Sequence, residues 1–232
     1  MRSIGSGLLA ATIAAVALRP TGAQAQADSK FAFTPYVGLF SPSSDIFRFN
    51  RINGGTTVSF NLRQQTAVAA GASLSYWRTD RFGVEVSGQY AHSKVKGNLL
   101  MNQVGAITVA KTVDEADVWA ATAKLMMQLL PPKSGLILNA GVGPAFVTRW
   151  GPAWGVTSTG RMTGLSNLGG AMSLCSRIPL ASSVGLRLRA EDIIYAARQS
   201  WVTSAGLAGL KSDRRLQHDF VLSAGLQLSL DR

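Results

Sequence analysis

From His218 to Leu230 the chain alternates with period two. Phe220, Leu222, Ala224, Leu226, Leu228 and Leu230 share one parity, and Asp219, Val221, Ser223, Gly225, Gln227 and Ser229 share the other. Successive side chains of a strand point to opposite faces, so this segment predicts a strand with one apolar face and one small or polar face. The pattern recurs upstream. Val84, Val86, Gly88 and Tyr90 alternate with Glu85, Ser87 and Gln89 in 83–91, and Val184, Leu186, Leu188 and Ala190 alternate with Gly185, Arg187 and Arg189 in 184–190. In 67–77, Val68, Ala70, Ala72, Leu74 and Tyr76 face away from Ala69, Gly71, Ser73 and Ser75. Segment 118–129 sets Trp119, Ala121, Ala123, Leu125, Met127 and Leu129 against Thr122, Lys124 and Gln128. Its helix-forming residues would also suit a helix, but the alternation favours a strand. Segments 136–148 and 166–178 continue the series, and 31–40 opens it with Phe31, Phe33, Val37 and Leu39 opposite Thr34, Tyr36 and Gly38.

The expected fold is therefore all-β: an eight-stranded antiparallel up-and-down transmembrane β-barrel. Strands of roughly 9–13 residues can cross a bilayer at a tilt, and an even number closes such a barrel with both termini on one side. The connections add an independent signal. Those at about 41–65, 93–116, 149–165 and 198–216 are long, whereas Arg78–Arg81, Leu130–Ser134 and Pro179–Ser183 are short. Short periplasmic turns and long extracellular loops are the habit of outer-membrane barrels. Tyr76 and Trp77 fall at the short-turn end, and Tyr90, Trp119, Trp150, Trp154, Tyr195 and Trp201 fall near or in long loops, as two interfacial girdles would require.

Composition narrows the class further. Of 232 residues only 15% are charged and 47% are hydrophobic, against about a quarter charged in soluble domains. One cysteine, Cys175, and two histidines exclude a disulfide framework, a multi-cysteine metal site and a His-rich cluster. Arg2, the apolar run Leu8–Leu18 and the small residues Ala23-Gln24-Ala25 predict a secretory signal peptide over 1–25, with the barrel domain over 26–232. No apolar run after residue 25 is long enough for a membrane helix.

The last strand carries a more particular likeness. Ser223, Gly225, Leu228 and Leu230 fit the order polar, any, Gly, two of any kind, hydrophobic, any, hydrophobic. This resembles the C-terminal assembly signal of small bacterial outer-membrane β-barrels, the group of the OmpA transmembrane domain and OmpX-like proteins. Many members end on an aromatic residue, whereas this chain continues from Leu230 to Asp231 and Arg232. The resemblance implies recognition by the barrel-assembly machinery and residence in the bacterial outer membrane.

The inward parity gathers the charges of the strands. Glu85, Lys124, Arg177, Arg187, Arg189, Glu191 and Asp219 all fall on it. A cation facing lipid near the midplane would cost about 2–4 kcal/mol. The interior of an eight-stranded barrel is just wide enough for side chains to fill it. Glu85, Glu191 and Asp219 are thus expected to pair with Arg187, Arg189 and Lys124 and close the lumen; a selectivity lining is the alternative. Asp192 breaks the parity, so it calls for a bulge after Glu191 or a place at the rim. His92-Ser93 and His218-Asp219 are sequence neighbours on opposite strand faces, so neither forms a dyad by itself, and no catalytic, cofactor or metal residue is assigned. Gly141-Val142-Gly143-Pro144 lacks the Lys-Ser/Thr of a phosphate loop.

The formal charge of +11 is unevenly placed. The four long connections hold Arg48, Arg51, Arg63, Lys94, Lys96, Lys111, Arg149, Arg161, Arg198, Lys211, Arg214 and Arg215, against Asp45, Asp114, Glu115 and Asp213. In an exported barrel the nearer partners of such charge are membrane lipids and the phosphates of lipopolysaccharide rather than nucleic acid, with loops that are simply solvated and basic as the equal alternative. The reading is a non-enzymatic outer-membrane barrel, structural or surface-interacting, with basic extracellular loops. A narrow porin-like diffusion channel is the alternative, a lipid-modifying barrel enzyme a third reading, and a soluble lipocalin-like barrel, which would bury an apolar interior, a fourth.

Overall fold

The computed structural model describes residues 30–43, 45–53, 56–103, 106–130, 136–154, 161–163, 165–197, 200–202, 210–211 and 215–230. The leader expected over 1–25 lies outside the described residues. In chain order the strands are β1 (Phe31–Pro42), β2 (Phe47–Asn53), β3 (Thr56–Gln64), β4 (Ala67–Trp77), β5 (Phe82–Gln103), β6 (Ala106–Gln128), β7 (Ile137–Trp150), β8 (Arg161–Thr163), β9 (Ser166–Pro179), β10 (Val184–Ala197), β11 (Ser200–Val202), β12 (Leu210–Lys211) and β13 (Arg215–Ser229).

Eight of them close a barrel. Each of β1, β4, β5, β6, β7, β9, β10 and β13 pairs antiparallel with the next, and β13 returns to β1, with Phe33 opposite Leu228 and Leu39 opposite Leu222. The strand that carries the assembly-signal pattern is therefore the one that closes the ring. All eight segments expected from the alternation are strands, 118–129 included, so tertiary pairing overrides the helix propensity of its Ala and Leu.

Alternation sorts the side chains as expected. Val37, Leu74, Val86, Leu125, Val142, Leu174, Leu222 and Leu226 stand exposed on the outer face. Leu222 retains 61% and Leu125 69% of its accessible surface, a pattern that only an apolar surrounding makes favourable across a whole circumference. Phe31 and Tyr76, with ring centroids 4.7 Å apart, mark the short-turn end, while Tyr90 with Trp150 (5.9 Å) and Trp119 with Phe146 (6.1 Å) mark the other.

Two of the expected loops are strands instead. The segments 41–65 and 93–116 mostly continue the barrel walls: β2 pairs β3, β3 pairs the distal half of β5, and β5 pairs β6 from Phe82–Met127 to Gln103–Ala106. A strand of 22 residues such as β5 reaches about 70 Å, or some 55 Å along the normal at a tilt near 40°, well past a hydrocarbon core of about 30 Å. The alternation survives there, but polar residues on the outer face hide it from a search for lipid-facing stripes. The register changes by one residue between Gln64–Val95 and Ala69–Ala91, a bulge at Gln65-Thr66 where the wall leaves the membrane. The inner face of this projection packs Ile46, Leu62, Val95 and Ala116 around the buried Trp154, which a short 3-10 turn at Pro152–Trp154 swings over the barrel mouth. Gly151, at a positive φ of 117°, permits that reversal.

Candidate functional site

The lumen is where the chain concentrates its chemistry, and it is filled in layers. The lower layer is an ion network centred on Glu85 of β5. Lys124 Nζ lies 3.2 Å from Glu85 Oε1, Arg187 Nη2 2.5 Å from Oε2, and Arg189 Nη1 3.5 Å from Oε1. Lys124 also pairs with Glu191 Oε2, the same oxygen that has Arg189 Nη1 at 3.9 Å. In the ring of eight, β5 and β10 are diametrically opposite, so the Glu85–Arg187 pair spans the whole bore. Arg187 Nη2 also contacts Cys175 Sγ at 3.2 Å, which makes the cysteine a packed neighbour of the network.

Tyr36 of β1 supports this layer. The Arg189 guanidinium lies 4.1 Å above its ring, and its hydroxyl donates to the Gly88 carbonyl at 3.2 Å. The ring can lie flat against the wall because both cross-strand neighbours are glycine, Gly71 on β4 and Gly225 on β13. A Cβ on Gly71 would stand 2.6 Å from Tyr36 Cζ, and one on Gly225 2.8 Å from Tyr36 Cβ. Gly225 thus has a packing role in addition to its place in the assembly-signal pattern.

An apolar layer follows, with Phe40, Ala120, Val147, Ile193 and Val221 among the residues of one buried cluster. Beyond it stands a second polar cluster. Arg149 Nη2 donates to Asp219 Oδ2 at 2.8 Å and to the Tyr195 hydroxyl at 2.5 Å, and Arg149 Nε donates to Gln64 Oε1 at 2.8 Å. The Tyr195 hydroxyl donates in turn to Asp219 Oδ2 at 3.0 Å. The cavity between Tyr36, Ser73, Arg187, Arg189 and Ser223 holds about 10 Å³, room for about one water.

The structure brings five of the expected network residues together: Glu85, Lys124, Arg187, Arg189 and Glu191. It separates the sixth. Asp219 was expected to accept from Arg187, Arg189 or Lys124; it pairs with Arg149 instead, which the sequence assigned to a loop. Arg149 is the penultimate residue of β7 and faces inward. Tyr195, expected in a girdle, is buried in the lumen, and Trp154, also expected there, is buried beneath the projection. Tyr195 shares the parity of Glu191, so strict alternation was the signal that could have placed it. Arg177 faces inward beside Arg187, as their register requires.

Asp192 sits in an unbroken ladder, opposite Phe220 and Met172, so no bulge turns it inward. It faces outward and pairs with His218, Oδ2 to Nδ1 at 2.9 Å. His92 Nδ1 likewise lies 2.7 Å from Asp117 Oδ1, which also accepts from the Tyr90 hydroxyl at 3.0 Å. Both pairs are cross-strand and outward, an arrangement that sequence neighbours could not reveal. Ser223 faces the lumen, while Leu228 and Leu230 are exposed on the outer face. Among the basic residues expected in loops, Arg48, Lys94 and Lys96 are exposed on β2 and β5. Arg51, Arg161, Lys211 and Arg215 lie in strands, their side chains outside the description, and Arg214 lies outside the described residues.

A closed antiparallel ring with a polar lumen, an apolar outer belt and aromatic residues at both ends defines a transmembrane β-barrel of the outer-membrane type. Solved structures agree on the fold. The chain is similar to the outer membrane protein OprG from Pseudomonas aeruginosa, with a TM-score of 0.64 at 14% identity over 88% of this chain and 97% of that one. It is also similar to the outer membrane protein AlkL in lipid bilayers, with a TM-score of 0.55 at 14% identity over 88% and 92%. No protein-family model matches the sequence, and no curated protein matches it.

Proposed function

We propose that the chain is a non-enzymatic protein of the bacterial outer membrane, a sealed barrel that works through its extracellular surface rather than through its bore. The observation that carries this reading is the diametric Glu85–Arg187 pair with Lys124, Arg189 and Glu191 around it. The apolar layer and the Arg149–Asp219 cluster above it add buried side chains at successive levels of the bore. An OmpA- or OmpX-like affiliation, recognition by the barrel-assembly machinery and contact with lipopolysaccharide belong to the same reading. They rest on the last-strand pattern and on the exposed cations of β2 and β5.

Planar-bilayer recording of the refolded chain tests it. No steady unitary conductance is expected over a range of holding potentials. Reproducible single-channel steps from the unmodified chain would replace this reading with the narrow diffusion channel. Heat-modifiable migration and fractionation with the outer membrane test the location separately.

A further inference from the structure

On the outer face of the projection, Arg63 of β3 stands directly opposite Lys96 of β5. Two like charges about 5 Å apart at their Cβ atoms oppose strand pairing, and a fold normally avoids or neutralises them. Neither is neutralised here: both side chains are exposed, and among the described residues neither has an ion-pair partner. On β6 the residue opposite Lys96 is Val113. The pair overhangs a polar recess of about 710 Å³, to which Asn61 and Asn98 contribute amides, Ser41 and Thr66 a mutually bonded hydroxyl pair and Asp45 a carboxylate. The carboxylate that lines the recess, Asp45, lies 3.8 Å from Arg48 Nε, and Glu115 stands opposite Lys94, one rung lower on the outer face.

Height decides what kind of anion fits. Tyr90 on the same strand belongs to the aromatic end, and such rings sit at the headgroup level. Lys96 is six residues further on, about 15 Å above that level at 3.3 Å per residue and a tilt near 40°. The polar headgroup layer is only about 5–7 Å deep on each side. Phospholipid phosphates therefore lie too low, whereas phosphates on a saccharide that rises from the membrane lie at the right height. Below, on the lipid side of the same wall, Phe33, Leu74, Val86, Gly88, Trp119 and Phe146 line an apolar concavity of about 600 Å³.

Resting on the outer-membrane reading, we propose that Arg63 and Lys96, with Asn61 and Asn98, bind a phosphorylated sugar of an outer-leaflet glycolipid of the lipopolysaccharide type, one acyl chain of which fills the concavity below. The cations neutralise the phosphate, and the asparagine amides donate to its oxygens and to sugar hydroxyls. The phosphate then supplies the counter-charge for the cross-strand pair of cations.

The test uses the full chain refolded in detergent, titrated with lipopolysaccharide that carries a phosphorylated core. Parallel arms use truncated lipopolysaccharide lacking the core phosphates, phosphatidylglycerol and inorganic phosphate. Saturable binding of the intact glycolipid is expected, weakened about tenfold or more by Arg63→Ser with Lys96→Ser, and similarly by loss of the core phosphates. Gly88→Leu should weaken glycolipid binding several-fold yet leave the fold intact, because a Cβ at Gly88 meets nothing within 4 Å. Equal binding by the double variant, equal binding of phosphatidylglycerol, or free phosphate competing as strongly as the glycolipid would each overturn the proposal. Heat-modifiable migration of every variant separates the two readings. A folded barrel that does not bind sinks this inference and the lipopolysaccharide contact it deepens while the sealed outer-membrane barrel stands, whereas a wild-type chain without the heat shift sinks the outer-membrane reading beneath both.

Discussion

Replacing Glu85 with Gln keeps the shape of the side chain and removes one charge from the centre of the lumen. Glu85 is 1% exposed and faces three cations, Lys124, Arg187 and Arg189. Removing one partner of a buried ion pair costs about 3–5 kcal/mol, because the remaining charge stays desolvated without compensation. The local pattern selects the lower end of that range. Lys124 and Arg189 keep Glu191 as an acceptor, and only Arg187 is left with no carboxylate, beside the Cys175 sulfur. The expected loss is therefore about 3 kcal/mol, more than a hundredfold in the folded-to-unfolded ratio. Urea unfolding in lipid vesicles, followed by tryptophan fluorescence and by the heat shift on gels, measures it. Adding Arg187→Met to Glu85→Gln should recover most of the loss, since the orphaned cation is then gone. If Glu85→Gln unfolds within about 0.5 kcal/mol of wild type, water reaches the network and screens it. The lumen would then not be sealed at that layer, and the reasoning behind the proposed function would fail.

The second cluster should respond independently. Asp219→Asn strands Arg149 in the same way, and its cost should add to that of Glu85→Gln within about 0.5 kcal/mol, because the two clusters share no residue and an apolar layer intervenes; strong coupling in the double variant would show one continuous network instead. Gly71→Val drives a side chain against the Gly88 carbonyl and into the Tyr36 ring, so it should destabilise by about 1–3 kcal/mol or more. Combining it with Tyr36→Ala relieves the ring contact but not the carbonyl contact, so the double variant should recover part of the folding yield in vesicles; a loss additive with that of Tyr36→Ala alone would refute the packing argument.

The strand alternation, the count of eight, the apolar outer face and the inward parity of the charges are all legible in the sequence. They follow from a local rule: neighbouring residues on a strand face opposite ways, and in a membrane the two sides differ in polarity. Glu85, Lys124, Arg187, Arg189 and Glu191 could be placed in one lumen on that rule alone. The rule fails where its premise does. Beyond the headgroups both faces of a strand meet water or protein, so segments 41–65 and 93–116 lose their lipid-facing stripe and read as loops, although β2, β3, β5 and β6 run on through them.

Parity also says which face a residue takes but not at what height it lies or which distant strand it meets. That is why Asp219 pairs with Arg149 and not with Arg187, why His92 meets Asp117 and His218 meets Asp192, and why Arg63 stands opposite Lys96. Register and ring closure are set by the summed hydrogen bonds and packing of whole strands. A chain read one residue at a time holds the pattern of faces; only the closed barrel fixes which residues meet across its bore and walls.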